Sequence, residues 1–210
     1  MRNLSRALRD LGHRVDVLSG EPYPELDPGV GLVPLPGMNC YGYPRFRDAL
    51  WARGMRSLRD LREWLGIVSG GFPEPRTFGE RARDWLLARR GKYDVIHDNQ
   101  SLCYGLLQLQ ERGLPVVSTI HHPITRDLRH ALQREKRWGM RLLIRRWHGF
   151  LRMQKRVARR LGSIVTVSRA SLRDIEEDFG VFQENMHVVP NGVDTDVFRP
   201  VPGIESRPQR

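Results

Sequence analysis

Polar side chains follow three short apolar runs of this chain, at the point where each run ends. Six residues hold these positions: Asp98, Asn99, His121, His122, Ser168 and Arg169. The apolar runs, at residues 93–97, 116–120 and 163–167, are rich in β-branched residues and predict buried parallel strands. Because open α/β sheets bind ligands outside the carboxyl ends of their strands, we expect the six side chains to form a binding site at one edge of a sheet.

The chemistry of these residues favours hydrogen bonding to a polar ligand. A neutral imidazole at His121 donates one hydrogen bond and accepts another, so it can orient a ligand hydroxyl. Asp98 and Asn99 offer a carboxylate and an amide, although the same residue types also form turns and helix caps. Arg169 can meet a phosphate or remain in solvent, and His121 can be a buried or capping residue. The residue types alone leave these alternatives open.

The last part of the chain predicts a strand, a helix, a second strand and a turn. Ser168 suits the N-cap of a helix over residues 170–179, and Gly180 suits its end. Pro190 ends the second strand, because proline cannot donate a hydrogen bond to a ladder. The Asn-Gly pair that follows predicts a tight turn with positive φ.

Several stretches of the chain resemble one known family. They are YDVIHDNQ at residues 93–100, LPVVSTIHHP at 114–123, VSRAS at 167–171, HVVPNGVD at 187–194 and FRP at 198–200. In this order they resemble the N-terminal domain of family-four retaining glycosyltransferases. The resemblance implies a GT-B fold, in which two Rossmann-like domains enclose an active-site cleft. For this chain it implies an α/β fold with a doubly wound, mostly parallel sheet, whose expected strands are residues 14–19, 93–97, 116–120, 163–167 and 187–189.

The resemblance also implies roles for the site residues. His121 matches a family histidine that lies near the donor sugar, and it is the catalytic candidate. The expected substrate-binding residues are Asp98, Asn99, His122, Ser168 and Arg169. The family's interdomain turn, which leads into the nucleotide-sugar domain, matches Asn191, Gly192, Val193 and Asp194.

The substrates are implied in the same way. The expected donor is a nucleotide sugar of UDP or GDP type, and the acceptor is a glycan, a lipid or a small molecule. No cofactor and no metal are expected. In retaining enzymes of this type the leaving phosphate departs from the face that the acceptor attacks and helps to deprotonate the acceptor. The chain therefore needs no pair of carboxylates of the glycosidase kind.

The first elements occur in an unusual order for such a domain. Four apolar residues at helical spacing predict a helix: Leu4, Ala7, Leu8 and Leu11. A doubly wound domain normally has a strand and a glycine-rich loop before this helix. We therefore expect an incomplete domain at residues 1–200, without its first strand, and at 201–210 the start of a linker to an absent C-terminal domain. Such a fragment would be inactive alone; the alternative is a fold that begins with a helix.

The chain carries a large excess of positive charge. It has 35 basic and 24 acidic residues, for a formal charge of +11. This favours an anionic partner such as a nucleic acid, a phospholipid surface or a nucleotide. Cys40 and Cys103 make neither a metal site nor a disulfide framework. No signal peptide and no apolar run of about 18 residues is apparent, so we expect a cytoplasmic protein.

Residues 134–161 predict a basic amphipathic helix, with Gly139 and Gly149 as the candidate positions of a kink. Its arginine stripe, at helical spacing, comprises Arg134, Arg137, Arg141, Arg145, Arg152, Arg156 and Arg159. The opposite side is apolar and comprises Met140, Leu143, Trp147, Phe150, Leu151, Ala158 and Leu161. One interpretation is a surface helix whose apolar side packs on the sheet. The other is a helix that binds anionic lipid head groups, as a peripheral contact at the inner face of the membrane.

Two other classes of protein explain part of the pattern. A nucleic-acid-binding module would use the arginine-rich tract, but it predicts a helix-turn-helix or a stacking platform rather than alternating strands and helices. A non-catalytic partner subunit would need a complete sheet and a clear domain end. We expect no nucleic-acid partner, and the donor sugar, the acceptor and the oligomeric state stay open.

Overall fold

The computed structural model describes residues 2–193, 195, 198 and 199. The helices are α1 (Arg2–Asp10), α2 (Phe46–Arg53), α3 (Leu58–Val68), α4 (Glu74–Leu87), α5 (Tyr104–Glu111), α6 (Thr125–Arg134), α7 (Trp138–Trp147), α8 (Leu151–Ala158) and α9 (Arg169–Phe179). The strands are β1 (Asp16–Ser19), β2 (Gly31–Pro34), β3 (Ile96–Asn99), β4 (Val116–Ile120), β5 (Ile164–Thr166) and β6 (Met186–Val188). The predicted turn residue Asp194 and the predicted linker at 201–210 lie outside the described residues.

The strands form two parallel sheets rather than the one sheet expected from the sequence. β3, β4, β5 and β6 pair in that order, and all neighbours are parallel. β1 and β2 form a separate parallel pair. The α/β class with Rossmann-like parallel pairing is therefore confirmed, but β1 and β3 are not joined. A doubly wound sheet has a central strand between two such strands, and the described part of the chain has none there, as the sequence predicts.

The four-stranded sheet carries the main hydrophobic core. Ile120 of β4, Ile164 of β5, Val157 of α8 and Phe179 of α9 are all fully buried in one cluster. Burial of each such side chain contributes roughly 1.5–3 kcal/mol. This explains why the apolar runs form strands covered by helices, and the resulting rigid sheet positions the loops that follow its strands.

The predicted apolar face of α1 is largely uncovered. Leu4 is 43% exposed and Leu11 is 76% exposed. Polar contacts hold the helix instead; for example, Arg2 forms an ion pair with Asp27 at 2.9 Å. The gap between β1 and β3 explains the exposure, because α1 has no central strand to pack against.

Two predicted helices have different bounds in the structure. The apolar spacing of residues 45–65 predicts one helix, but the structure divides it into α2 and α3, because Gly54 adopts a positive φ of 66° and ends α2. Residues 77–90 predict another helix with Thr77 as its N-cap. In the structure α4 begins earlier, with Pro75 in its first turn, where a missing N–H is tolerated. Thr77 is therefore not an N-cap as predicted; it lies inside α4 and is fully buried.

The predicted helix over residues 134–161 is divided, and one of the breaks contains Gly149, a predicted kink position. α6 ends at Arg134, and a 3-10 turn at His148–Phe150 separates α7 from α8. Six of the seven arginines in the predicted stripe are exposed; Arg141 is half-buried and donates to the carbonyl of Glu135 at 3.0 Å. α8 packs into the core, whereas α7 has no buried residue. None of the described helices is long and apolar enough to cross a membrane.

A buried ion pair joins α3 to α4. The Glu63 side chain is 2% exposed, and its two oxygens accept hydrogen bonds from the Met38 N–H and the Thr77 hydroxyl, both at 2.8 Å. Arg81 Nη2 lies 2.7 Å from Glu63 Oε2 and 2.9 Å from Asp60 Oδ1. A buried carboxylate is tolerated when it is paired and hydrogen-bonded in this way. The sequence patterns did not predict this pair.

Candidate active site

The predicted site residues share one edge of the four-stranded sheet, although Asp98 and Asn99 are the last two residues of β3 rather than the first two after a strand at 93–97, as the sequence predicts. β3, β4 and β5 are parallel neighbours, so their carboxyl ends point the same way. Asn99 pairs with Thr119, and Ile120 pairs with Thr166, which keeps the three strand ends level. The loops that follow these strands therefore begin side by side, as the sequence predicts.

His121 is hydrogen-bonded to Asn99 across this edge. The distance from His121 Nε2 to Asn99 Oδ1 is 2.9 Å. Because an amide oxygen can only accept, the imidazole in this pair carries its proton on Nε2. A neutral His121 then offers Nδ1 as an acceptor for a ligand hydroxyl. The two residues, predicted separately, form one unit.

Gln100, which the sequence patterns do not indicate as a site residue, fixes the backbone of both histidines. Its Oε1 accepts the His121 N–H at 2.7 Å, and its Nε2 donates to the His122 carbonyl at 2.8 Å. The Gln100 carbonyl in turn accepts from Gln154 Nε2 of α8 at 3.1 Å. Gln100 adopts a φ of 61°, which is unusual for a residue other than glycine. Its neighbours in sequence give no signal of these contacts.

Asp98 shapes the loop after β3. Its carboxylate accepts hydrogen bonds from the Ser118 hydroxyl at 2.7 Å, from the Leu102 and Ser101 N–H groups at 3.2 Å, and from the Ser101 hydroxyl. Asp98 is 8% exposed. These bonds occupy the carboxylate with local structure, so a direct contact between Asp98 and substrate stays a prediction.

His97 adds a second, half-buried imidazole below the site. Its Nε2 lies 2.7 Å from the Thr119 hydroxyl oxygen. Burial lowers the pKa of His97, the nearby Asp98 charge opposes this effect, and His121 adds to it. His97 is therefore favoured as a neutral residue, which keeps positive charge away from His121.

The other predicted residues lie at the margin of the site. His122 is exposed, and its Nε2 lies 3.3 Å from Asp127 Oδ2. Ser168 caps α9, as predicted: its hydroxyl accepts the Ser171 N–H at 3.0 Å. Arg169 is exposed. Substrate contacts by these three residues stay predictions.

The segment after β6 is exposed over its described residues, and the tight turn with positive φ that the sequence predicts there is wrong, because neither Asn191 nor Gly192 has a positive φ. Asn191, Gly192 and Val193 follow Pro190, and Val193 is 65% exposed. Their place in an interdomain connection stays a prediction, as does that of Asp194. Because these residues are exposed, they take no part in the packing of the sheet.

A cavity of about 1650 Å³ opens from the site and runs between β1 and β3. His97, Asn99 and Gln100 line it on the site side, and Glu74 and Phe72 line another part. Glu74 Oε2 is buried and has no hydrogen-bond partner among the described residues. Burial raises the pKa of Glu74 to about 7, and the Glu63 charge adds to this. No pattern in the sequence indicates this carboxyl group.

The Glu74→Gln variant is expected to be more stable than the wild type at pH 8 and about equally stable at pH 4. A raised pKa means that the fold favours the neutral carboxyl, so its stabilising contribution is present below pH 4.5 and is lost as the pH rises through about 7. The shift corresponds to at most about 3 kcal/mol. Because the group is partly exposed, solvent screening reduces this, and we expect about 1–2 kcal/mol.

Urea unfolding at both pH values measures this effect. Glu111→Gln, which changes an exposed glutamate at the end of α5, is the matched control. A gain in stability at pH 4 as large as that at pH 8 would show that the effect does not come from the charge of Glu74.

The fold and the site define a class of protein. Parallel β-α units with hydrogen-bonding side chains at the strand ends are typical of Rossmann-like ligand-binding domains. Comparison with known proteins identifies the family: residues 1–197 match the model for Glycosyltransferase Family 4, and the chain belongs to this family. It is also similar to the MMP alpha-(1->4)-mannosyltransferase of Mycolicibacterium hassiacum, with 50% identity over 204 residues. That alignment covers 97% of this chain and 49% of the relative, so the chain spans about half the length of the curated relative.

Proposed function

We propose that this chain is the acceptor-side half of a retaining glycosyltransferase that transfers a mannosyl group from a nucleotide sugar to an acceptor. Membership of Glycosyltransferase Family 4 supports the reaction class, and the name of the relative supports the sugar. Residues 1–200 form this half, and residues 201–210 begin the link to a nucleotide-sugar domain. The donor is UDP- or GDP-mannose, and the half alone is inactive.

The observation that carries this proposal is the pair of His121 and Asn99 at the strand edge. The pair leaves His121 Nδ1 free to accept a hydrogen bond from a hydroxyl of the donor sugar. This bond would hold the sugar in one orientation. Gln100 holds the backbone of the same loop, so little ordering is needed when the sugar binds. In the proposed mechanism the leaving phosphate takes the proton of the acceptor, and His121 positions the sugar rather than acting as a base.

A chimera tests the proposed function. In it, this chain replaces the 204 aligned residues of the Mycolicibacterium hassiacum enzyme. We expect the chimera to transfer mannose from UDP-mannose or GDP-mannose to the relative's acceptor with retention, and we expect the isolated chain to transfer none. A folded chimera that turns over neither donor would contradict the proposal.

A second proposal concerns α7, which we infer is a peripheral contact with anionic membrane at the cytoplasmic face. Trp138 is 82% exposed and Leu142 is 60% exposed, although both are apolar. Arg137 and Arg145 of the predicted stripe are exposed beside them. Exposed apolar residues interleaved with basic ones favour the interface of an anionic lipid bilayer. This placement deepens the proposed function, because a membrane would then present a lipid acceptor.

The triple variant Arg137→Glu, Arg145→Glu and Arg152→Glu is expected to bind anionic vesicles on the order of 100-fold more weakly than the wild type. Each basic residue near an anionic surface contributes about 1 kcal/mol. Sedimentation with phosphatidylglycerol vesicles measures binding, which should also weaken from 0.1 to 1 M salt because the Debye length falls from about 10 to about 3 Å.

A second triple variant controls for net charge. Arg47→Glu, Arg112→Glu and Arg173→Glu remove the same charge from exposed positions outside α7 and α8 and should leave most of the binding intact. Equal binding of the wild type to neutral phosphatidylcholine vesicles would rule out the charge-dependent contact.

A further inference from the structure

The loop after β3 has a backbone conformation that costs free energy. Gln100 and Leu102 both adopt left-handed φ angles, of 61° and 48°. Residues other than glycine are rarely found there, and they persist only where the surrounding structure holds them. Such residues cluster at active sites and ligand clamps. The loop therefore depends on contacts from other elements, and it lies beside the catalytic candidate His121.

Two side chains hold the backbone of this loop through different groups. Asp98 accepts the N–H groups of Ser101 and Leu102, both at 3.2 Å. Gln154 of α8 donates from Nε2 to the carbonyls of Gln100 and Ser101, at 3.1 and 3.3 Å. Because carbonyl oxygens only accept, the Gln154 amide must direct its nitrogen towards the loop. The N–H groups of the loop are thus held from β3, and its carbonyls are held from α8.

Packing does not explain a glutamine at this position of α8. Gln154 is 2% exposed, and its Oε1 is buried without a hydrogen-bond partner among the described residues. A buried polar atom without a partner costs free energy, so an apolar side chain would suit the core better. The other buried residues of α8 are indeed apolar: Leu151, Met153, Val157 and Ala158. The amide offsets its cost through the two hydrogen bonds to the loop.

The loop transmits this constraint to His121. The Gln100 side chain accepts the His121 N–H at 2.7 Å and donates to the His122 carbonyl at 2.8 Å. Both bonds depend on the position of the Gln100 backbone, which Gln154 holds. The His121 imidazole in turn lies 2.9 Å from Asn99. A continuous path of hydrogen bonds therefore connects α8 with the imidazole.

We propose that Gln154 is a positioning residue for the transfer reaction. From the core of α8 it holds the Gln100–Ser101 backbone, and through Gln100 it sets the place of the His121 imidazole against the donor sugar. A displacement of about 1 Å at a reacting centre can lower a rate by about two orders of magnitude, so a buried residue behind the site affects turnover. This inference rests on the proposed function, in which His121 orients the sugar.

Gln154→Met in the chimera is expected to lower kcat about tenfold, because the loop that places His121 is no longer held. The KM for the donor should stay within about twofold, since the groups that bind the sugar remain. Methionine is close to glutamine in shape and suits a core, but it has no donor for the two carbonyls. Steady-state kinetics of the purified chimeras measure the effect.

Gln110→Met is the matched control. Gln110 of α5 also makes two hydrogen bonds to a loop, with the Arg160 carbonyl at 3.1 Å and the Gly162 N–H at 3.0 Å. That loop precedes β5 and lies at the opposite edge of the sheet from His121. The control variant should therefore keep the kcat of the parent chimera.

A double-mutant cycle separates positioning from a general structural role. If Gln154 acts through His121, Gln154→Met should lower kcat by less than about twofold in the His121→Ala background. A residue that only stabilises the fold would lower kcat by the same factor in both backgrounds, and that result would overturn the proposal.

Hydrogen exchange of the His121 amide gives a readout that does not depend on activity. The Gln100 side chain accepts this N–H, so its exchange should accelerate about tenfold in Gln154→Met and not in Gln110→Met. Gln154→Asn keeps an amide but is one methylene too short, and it should give the same result, which covers a methionine variant that fails to fold. Unchanged exchange at His121 in the folded variants would overturn the proposal.

The two proposals fail in different ways. An active parent chimera whose kcat is unchanged by Gln154→Met would overturn this inference alone. A folded but inactive parent would overturn the proposed function and, with it, the role of Gln154 in the reaction.

Discussion

Arg81→Met is expected to lower the free energy of unfolding by about 3–5 kcal/mol, because it leaves the Glu63 carboxylate buried without its cation. Glu63 is 2% exposed, so water cannot replace the guanidinium that lies 2.7 Å away. The hydrogen bonds from Met38 and Thr77 remain but do not neutralise the charge. A domain is stable by only about 5–15 kcal/mol, so this loss is a large fraction of the total.

Urea unfolding measures the loss, which should lower the midpoint by roughly 2 M at a typical m-value. Arg62→Met is the matched control, since Arg62 is 52% exposed and pairs with Glu80 at the surface; it should cost at most about 1 kcal/mol. Adding Glu63→Gln to Arg81→Met should restore much of the stability, because the buried charge is then gone. Equal losses for Arg81→Met and Arg62→Met would show that the buried pair contributes little.

The strands could be predicted from sequence because their signals are local. β4 and β5 are β-branched runs long enough to be buried strands, and the structure buries Ile120 and Ile164 completely. The ends of α9 could be predicted for the same reason. The Ser168 hydroxyl caps the first turn of the helix, and Gly180, with a positive φ of 69°, follows its last turn. Parallel strands then bring the residues that follow them to one edge.

The errors lie where distant contacts decide the structure. Thr77 has the residue type of an N-cap, but it lies inside α4. Its hydroxyl donates a hydrogen bond to Glu63 on another helix instead of capping α4. The spacing of apolar residues predicts one helix over residues 134–161, but α8 enters the core and α7 does not. Helical periodicity describes one face of a helix and does not identify its neighbour.

The site was predicted only in part for a related reason. The histidine and asparagine at the strand ends follow from the order of the strands. Gln100 does not, because its role depends on a positive φ and on Gln154, which lies 54 residues further along the chain. A glutamine in a polar loop has no local feature that distinguishes a structural clamp from a solvent-exposed residue.

His121→Ala in the chimera is expected to lower kcat by one to two orders of magnitude. The variant removes the Nδ1 acceptor and breaks the bond to Asn99, so the reacting sugar loses a fixed orientation. Because orientation matters most as the transition state forms, kcat should fall more than KM for the donor rises. Asn99→Ala should cause a smaller fall, since it frees the imidazole without removing it.

Steady-state kinetics of purified chimeras, together with thermal unfolding, separate this role from a structural one. The His121→Ala chimera should unfold within a few degrees of the parent, because the ring is partly exposed and lies outside the core cluster. His130→Ala, which alters an exposed histidine on α6, is the matched control and should keep full turnover. If the His121→Ala chimera remains folded and turns over as fast as the His130→Ala control, His121 does not orient the sugar. The hydrogen bond between His121 and Asn99 would then only stabilise the loop.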